Sequence, residues 1–320
     1  MRKFAFFVFI LLLVALGLYV YYNYYTVPQK AEPTESKPAT PETTKPVKEP
    51  VPSADIGPLK LASWNIRIFS KSRDDDELEQ ICKNLIDYDF IAIIELRDEE
   101  ILKRTENMLE SKGRDYDYQI SDEVGRGVKE RYAFLYDKDK VSVVVPGKVY
   151  SDKDDSFIRE PYYATFRAGK FDFTIIATHV IWGDKISDRR KEIQKLAEVY
   201  EQVQDEDPSE QDVILVGDFN REPDDKAFSG LRSIPSMTHL FDVPKDKSDK
   251  SYTTVIHDSN LYDNIWFQSK YVNEYSKNKG IVRFDEIDFG KSKKDKERAS
   301  LAVSDHRPVW AEFNTTADDD

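Results

Sequence analysis

The sequence predicts an α/β domain of two packed sheets covered by helices, preceded by an apolar N-terminal segment and a proline-rich linker. Three observations lead there. Short apolar runs with strand character recur through residues 59–320, several in adjacent pairs. Stretches with apolar residues at helical spacing separate some of those runs, the pattern of sheets with helices packed on them. The first 58 residues share neither pattern.

Arg2 and Lys3 precede an uncharged run of 22 residues from Phe4 to Tyr25. A run of that length can span a bilayer as a helix. With the basic flank first, the N-terminus is expected in the cytoplasm and the remainder across the membrane. Tyr19, Tyr21, Tyr22, Tyr24 and Tyr25 form an aromatic belt at the outer interface. A cleaved signal peptide is the competing reading, and would make the protein secreted. Ala15-Leu16-Gly17 is a poor cleavage site, however, and the apolar run continues past it. A single-pass anchor over 1–27 is therefore expected. No cysteine follows the run, which excludes a lipoprotein anchor. Residues 28–58 hold eight of the chain's 15 prolines among Thr, Glu, Lys and Ser, which makes an extended, semi-rigid spacer.

The domain is expected over 59–320. Leu59–Ile66 reads as a strand. Residues 74–87 read as a helix with Leu78, Ile81, Cys82, Leu85 and Ile86 on one face. Phe90–Ile94 is a short buried strand, and a helix follows over 99–112. Tyr132–Tyr136 and Val141–Val145 read as a strand pair around the turn Asp137-Lys138-Asp139-Lys140. Tyr162–Arg167 and Phe171–Thr178 read as another pair around Ala168-Gly169-Lys170. Ser187 is placed to cap a helix to Gln204, with Ile193, Leu196, Ala197, Tyr200 and Val203 inward. Val213–Val216, Tyr262–Phe267 and Pro308–Phe313 complete the strands.

Composition narrows the function classes. Apolar residues are 40% of the chain and charged residues 33%, and the net charge is -13. A protein that holds nucleic acid through a broad basic surface is excluded. A polyanionic substrate must be attracted by local arginines and bound divalent cations. Cys82 is the single cysteine, so no internal disulfide is possible, and it is expected as a small core residue.

Polar residues cluster at the ends of the expected strands. Asn65 ends the first, in Trp64-Asn65. Glu95 ends Ile-Ala-Ile-Ile-Glu, and His179 ends Ile-Ile-Ala-Thr-His. Asp218 and Asn220 end Val-Ile-Leu-Val-Gly-Asp-Phe-Asn, while Asp263 and Asn264 open a strand in Leu-Tyr-Asp-Asn-Ile-Trp-Phe. Ser304-Asp305-His306-Arg307-Pro308-Val309 precedes the last strand. Side chains at neighbouring strand ends can converge on one cleft. Carboxylate and amide oxygens suit a hard cation such as Mg²⁺ or Ca²⁺, and a histidine backed by a carboxylate suits proton transfer. The chemistry fits hydrolysis of a phosphodiester.

In this order and spacing, Trp-Asn, Glu, Thr-His, Gly-Asp-Phe-Asn and Ser-Asp-His-Arg-Pro-Val resemble the endonuclease/exonuclease/phosphatase superfamily across nearly all of 59–320. The resemblance implies a four-layer α-β-β-α sandwich. Within the superfamily the chain is most similar to the deoxyribonuclease I branch. Ile94-Glu95-Leu96-Arg97-Asp98, Lys129-Glu130-Arg131-Tyr132-Ala133-Phe134-Leu135-Tyr136, Arg159-Glu160-Pro161 and Gly183-Asp184 carry that similarity. It implies that His179 pairs with Glu130 and His306 with Asp263, as general acid and base across the scissile phosphate. It implies that Asn65, Glu95, Asp218 and Asp305 hold or border Mg²⁺, with Mn²⁺ or Ca²⁺ as alternatives. Asn220 would contact the phosphate, and Arg97 and Arg159 the substrate. The branch carries an aromatic residue for the DNA minor groove two places before the glutamate, where this chain has Val128. Its secreted members also carry disulfides, which this chain lacks.

Blander readings stand beside these. Arg97 and Arg159 could form structural ion pairs with Glu95 or Glu160. His239 and His257 match no motif and read as surface or loop residues. Lys291–Arg298 reads as a solvated loop, because Asp295 and Glu297 interrupt its basic run. The leading function is a monomeric DNA-cutting hydrolase outside the cytoplasm, needing no nucleotide cofactor. The same machinery acting on a phospholipid or inositol phosphate is the alternative. A catalytically silent binding module would have lost part of the set, and every member is present.

Overall fold

The structure, a computed structural model, describes residues 56–183, 185–246 and 251–318. The expected anchor over 1–27 and the linker as far as residue 55 lie outside them. Among the described residues, no helix is long and apolar enough to cross a membrane.

The strands are β1 (Leu59–Phe69), β2 (Phe90–Leu96), β3 (Tyr116–Ile120), β4 (Arg131–Asp137), β5 (Val141–Val149) and β6 (Tyr162–Ala168). They continue as β7 (Phe171–His179), β8 (Val213–Asp218), β9 (Met237–His239), β10 (Asp263–Gln268), β11 (Tyr275–Ile281) and β12 (Val309–Phe313). The α-helices are α1 (Asp75–Leu85), α2 (Glu99–Ser111), α3 (Ile186–Glu206), α4 (Ser229–Ser233) and α5 (Lys293–Ala302). The strands form two 6-stranded sheets, ordered β11-β12-β1-β2-β4-β3 and β5-β6-β7-β8-β10-β9. Each is mixed: β1 and β2 run parallel in the first, β7 and β8 in the second, and the other pairings are antiparallel.

Side-chain alternation assigns the layers. Leu59 and Leu61 of β1, Phe90, Ala92 and Ile94 of β2, and Phe173, Ile175 and Ala177 of β7 join one core between the sheets. Phe90 lies at its centre, 4.8 Å from Phe166 and 5.5 Å from Phe173 by ring centroid, both edge-on. The intervening residues point outward. Ala62, Trp64, Ile91 and Ile93 pack under α1, α2 and α5, and Ile176, Val213, Leu215 and Trp266 pack under α3 and α4. The central strands of both sheets therefore bury both faces, and the described domain has four layers with helices outside.

Some expectations need correction. β4 and β5 are both strands, but they do not pair with each other. β4 lies between β2 and β3, whereas β5 pairs with β6 in the other sheet. The turn after Asp137 is a crossing between layers, since both strands carry inward aromatic or aliphatic faces that different partners cover. Ser187 does not cap α3. The helix begins one residue earlier behind Lys185, which supplies no side-chain cap. Lys291–Arg298 is not a loop but mostly the start of α5. Ser292 and Asp295 form a capping box there, each accepting from the other's backbone N–H. Most of the basic run is solvated as expected, but Lys296 is half-buried and donates to Asp258 Oδ2 at 3.0 Å. Cys82 is buried in the outer layer.

Candidate active site

The same alternation delivers the site. The inward parity of β1 reaches Asn65, that of β7 reaches His179, that of β8 reaches Asp218, and that of β10 begins at Asp263. Extending the inward parity of β4 back one step reaches Glu130. In register, His179 lies beside Asp218, and Asp218 beside Asp263. All five positions therefore open at one end of the sandwich, between the sheets.

Glu95 breaks the pattern. Ile94 faces inward, so the next residue should face the helices. Instead the ladders of β2 with β1 and with β4 both shift at this point, and Leu96 packs outward with Ile93. Glu95 is the bulged residue, with φ 65 in the left-handed region. The bulge turns its carboxylate into the cleft, where Oε1 accepts from Asn65 Nδ2 at 3.2 Å and Oε2 from the Ile68 N–H at 3.1 Å. Asn220 is held similarly, at φ 50, with Nδ2 donating to Val180 O at 2.7 Å and its N–H donating to Asp218 Oδ1 at 2.9 Å. Strained backbone that surrounding structure holds in place often marks a functional site.

Gly217 has φ +150, and a Cβ there would lie 2.0 Å from Thr178 O. This bare backbone lets β8 press against β7 one residue before Asp218. Gly217→Ala is expected to cost about 2–4 kcal/mol through strain and overpacking, read as a lower urea midpoint.

Two histidine–carboxylate pairs face each other. His179 Nδ1 lies 2.8 Å from Glu130 Oε2, and His306 Nδ1 lies 2.7 Å from Asp263 Oδ2. Their Nε2 atoms approach one oxygen, Asp218 Oδ2, at 3.7 and 3.6 Å. His179 is further oriented by its N–H, which donates to the Tyr132 hydroxyl at 3.0 Å. Arg159 Nη2 sits 3.2 Å from His179 Nε2, so that nitrogen accepts while Nδ1 donates to Glu130. Ser304 Oγ fixes the other side, donating to Asn65 O at 2.6 Å and accepting from the His306 N–H at 3.1 Å. Trp64 Nε1 donates to His306 O at 2.8 Å.

The electrostatics separate the carboxylates. Burial alone would raise Glu130, but the bond to His179 and the nearby Arg159 and Arg97 outweigh it and hold the carboxyl below its ordinary range. Burial raises Asp263, partly offset by His306, and raises Asp305, with Glu95 adding to the effect. Burial opposes the charged form of His306. The Asp263, Asp218 and Asp305 carboxylates nevertheless outweigh it and lift the imidazole well above its usual value.

Oxygen donors crowd the floor between the histidines. Asn65 Nδ2 also donates to Asp218 Oδ2 at 3.1 Å, while the buried Asn65 Oδ1 has no hydrogen-bond partner. Glu95, Asp218 and Asp305 line the same cleft of about 300 Å³. A buried amide oxygen without a donor, among carboxylates that repel one another, suits a hard divalent cation. Ligand-type atoms of Asp218, Asp263 and His306 also lie within 4.8 Å of one another. Arg97 pairs with Glu130 at 3.4 Å and with Glu95 at 3.8 Å. Arg159 pairs with Glu130 at 3.2 Å. Arg97 thus bridges two of the site's acids, whereas Arg159 spans Glu130 and His179, and its acidic partner is Glu130 rather than Glu160.

A family model described as the endonuclease/exonuclease/phosphatase family matches residues 62–306. The chain belongs to this family. A protein named deoxyribonuclease from Thioalkalivibrio sp. (strain K90mix) is 32% identical over 82% of this chain and 73% of its own length. Human deoxyribonuclease gamma is 32% identical over 78% of this chain and 84% of its own. These relatives place the chain in the deoxyribonuclease I-like branch, as a phosphodiester hydrolase. The crystal structure of an endonuclease/exonuclease/phosphatase from Bacteroides vulgatus shares the fold, with TM-score 0.55 at 17% identity, covering 80% of this chain and 98% of that one.

The structure brings together every site residue expected from this family's motifs. Sequence reasoning missed others. His257 does lie in a loop, but that loop lines the cleft with Thr254, Ile256 and Asn260. His239 lies in β9 rather than a loop, half-buried, with its ring 4.5 Å from Trp266 and Nε2 3.1 Å from Asp242 Oδ1. Trp182 and Tyr262 also line the cleft, each next to or within a few residues of a motif. Glu192 of α3 is 3% exposed, and its two oxygens accept from the Ile158 and Ile181 N–H groups, both at 2.8 Å. It ties together the loops that carry Arg159 and Trp182, and only its inward helical position hinted at it.

Proposed function

We propose that the chain is a divalent-metal-dependent endonuclease that hydrolyses DNA outside the cytoplasm. The observation that carries this reading is the convergence of both histidine Nε2 atoms on Asp218, each imidazole backed by its own buried carboxylate. A phosphodiester held there has one histidine to take a proton from the attacking water and the other to return one to the leaving oxygen. Glu130 and Asp263 fix the tautomers and steady the charged forms. Asn65, Glu95, Asp218 and Asp305 would hold Mg²⁺, or Mn²⁺ or Ca²⁺ in its place, and the bound cation neutralises charge developing on the phosphate. Asn220 lies beside the same floor to contact the phosphate, and Arg97 and Arg159 supply local positive charge in an acidic protein. The relatives named as deoxyribonucleases support DNA as the substrate. The order of basic pair, apolar run and proline-rich spacer supports an anchor over 1–27 and a linker over 28–58 that hold the hydrolase across the membrane from the cytoplasm.

Purified full-length protein given Mg²⁺ is expected to convert supercoiled plasmid to nicked circles and then to linear DNA. Intact plasmid, together with phosphate release from an inositol phosphate or a phospholipid, would overturn the DNA assignment. Stripping the protein with EDTA should bring activity to background, and adding back Mg²⁺ should restore it. Cleavage that persists after stripping would rule out the metal.

A further inference from the structure

The cleft has an aromatic wall that the hydrolytic machinery does not use. Trp182 is 57% exposed, one of the large hydrophobic side chains that reach solvent, and it lines the cleft with Tyr262, Ile256, His257 and Asn260. An isolated exposed Trp is ordinary, but this one is braced. The Arg189 guanidinium stacks on the indole 3.9 Å from its centroid, and Arg189 Nη2 also donates to Gly183 O at 3.1 Å. Tyr262 supports the ring from another side, with centroids 5.9 Å apart and planes at 52°. The residue before it is pinned by Glu192, which accepts from the Ile181 N–H at 2.8 Å. Arg189 and Glu192 both come from the first two turns of α3. The indole is thus fixed in place, within reach of whatever flanks a phosphate held by the histidines.

We infer that Trp182, braced by Arg189 and Tyr262, is a specificity-determining subsite that stacks on an unpaired base beside the scissile phosphate. The inference rests on the proposed action on DNA. A base in a duplex has both faces covered by its neighbours, so only a single-stranded or locally unstacked strand can offer a face to the indole. Stacking also suits this chain's charge. Residues 59–320 carry 41 Lys/Arg against 55 Asp/Glu, which leaves little non-specific attraction for phosphates. An aromatic contact supplies affinity that salt does not screen.

The test is a cycle between protein and substrate. Full-length protein in the His306→Ala background, with and without Trp182→Ala, binds single-stranded oligonucleotides carrying either normal bases or one base-free sugar analogue, moved along the strand. At the position that faces the subsite, base removal should weaken binding roughly 5- to 150-fold with Trp182 present and leave it nearly unchanged without it. Trp182→Phe should recover much of the coupling. The dependence of binding on salt should keep the same slope throughout. Additive effects at every position would overturn the inference, because they leave Trp182 with no base to contact. Loss of binding to phospholipid vesicles in Trp182→Ala, with oligonucleotide binding intact, would also overturn it and make the indole a membrane contact. Protein with Trp182 and His306 intact that cuts DNA while the cycle is additive fails this inference alone. If that protein cuts no DNA, the reading beneath it fails as well.

Discussion

His306→Ala should leave the protein folded and lower kcat about 10²- to 10⁴-fold, the range for removal of a positioned general acid or base. Folding should survive because the backbone here is held independently of the imidazole. Ser304 Oγ accepts from the His306 N–H, Trp64 donates to His306 O, and the adjacent Arg307 is locked to Asp285 by bonds of 2.8 and 2.6 Å. Removing the ring does leave Asp263 buried without its partner. That should show as a loss of stability at neutral pH that eases as the pH falls, because burial raises this carboxyl and favours its protonated form. His179→Ala should produce a loss of similar size. The double variant should be little worse than either single one, because groups that act in one step are not additive. Single-turnover rates on a plasmid substrate measure all three. Two losses that multiply would show that the histidines contribute independently rather than as one unit.

Asp218→Asn should lower activity at least about 10²-fold with almost no change in shape. Its carboxylate holds a central place. Oδ2 accepts from Asn65, lies near both histidine Nε2 atoms, and faces the oxygen donors of the floor, while Oδ1 accepts from the Asn220 N–H. The amide keeps the volume but removes the charge that would attract a cation. Half-maximal activity should therefore require more Mg²⁺. Near-native activity at an unchanged Mg²⁺ requirement would place the metal elsewhere. Because Gly217 alone permits the close approach of β8 to β7, this effect should be separable from the stability loss of Gly217→Ala.

Most of the site was legible because its residues end strands that read as short, nearly continuous apolar runs. β1, β2, β7, β8 and β10 are buried on both faces, so their sequences announce them. β11 escaped notice because Tyr275–Ile281 is mostly exposed and polar, an edge strand paired only with β12. The β4–β5 error has another cause. Two strands separated by a short polar turn look like a hairpin, and only long-range partners show that each belongs to a different sheet. Glu95 was recognisable from its motif, but not its bulge, since a left-handed φ at a glutamate leaves no mark in composition. Trp182, Glu192 and His257 lay hidden for a further reason. Their importance comes from loops and a helix end brought to the cleft by tertiary packing, and no local pattern records that.

A bound cation and the histidine pair should together cut DNA, and one gel decides whether they do. Supercoiled plasmid is incubated with full-length protein in Mg²⁺, with the same protein in EDTA, and with the folded His306→Ala variant in Mg²⁺. Nicked and linear DNA are expected in the first lane and intact plasmid in the other two. Nicking by His306→Ala at a near-native rate would contradict this expectation.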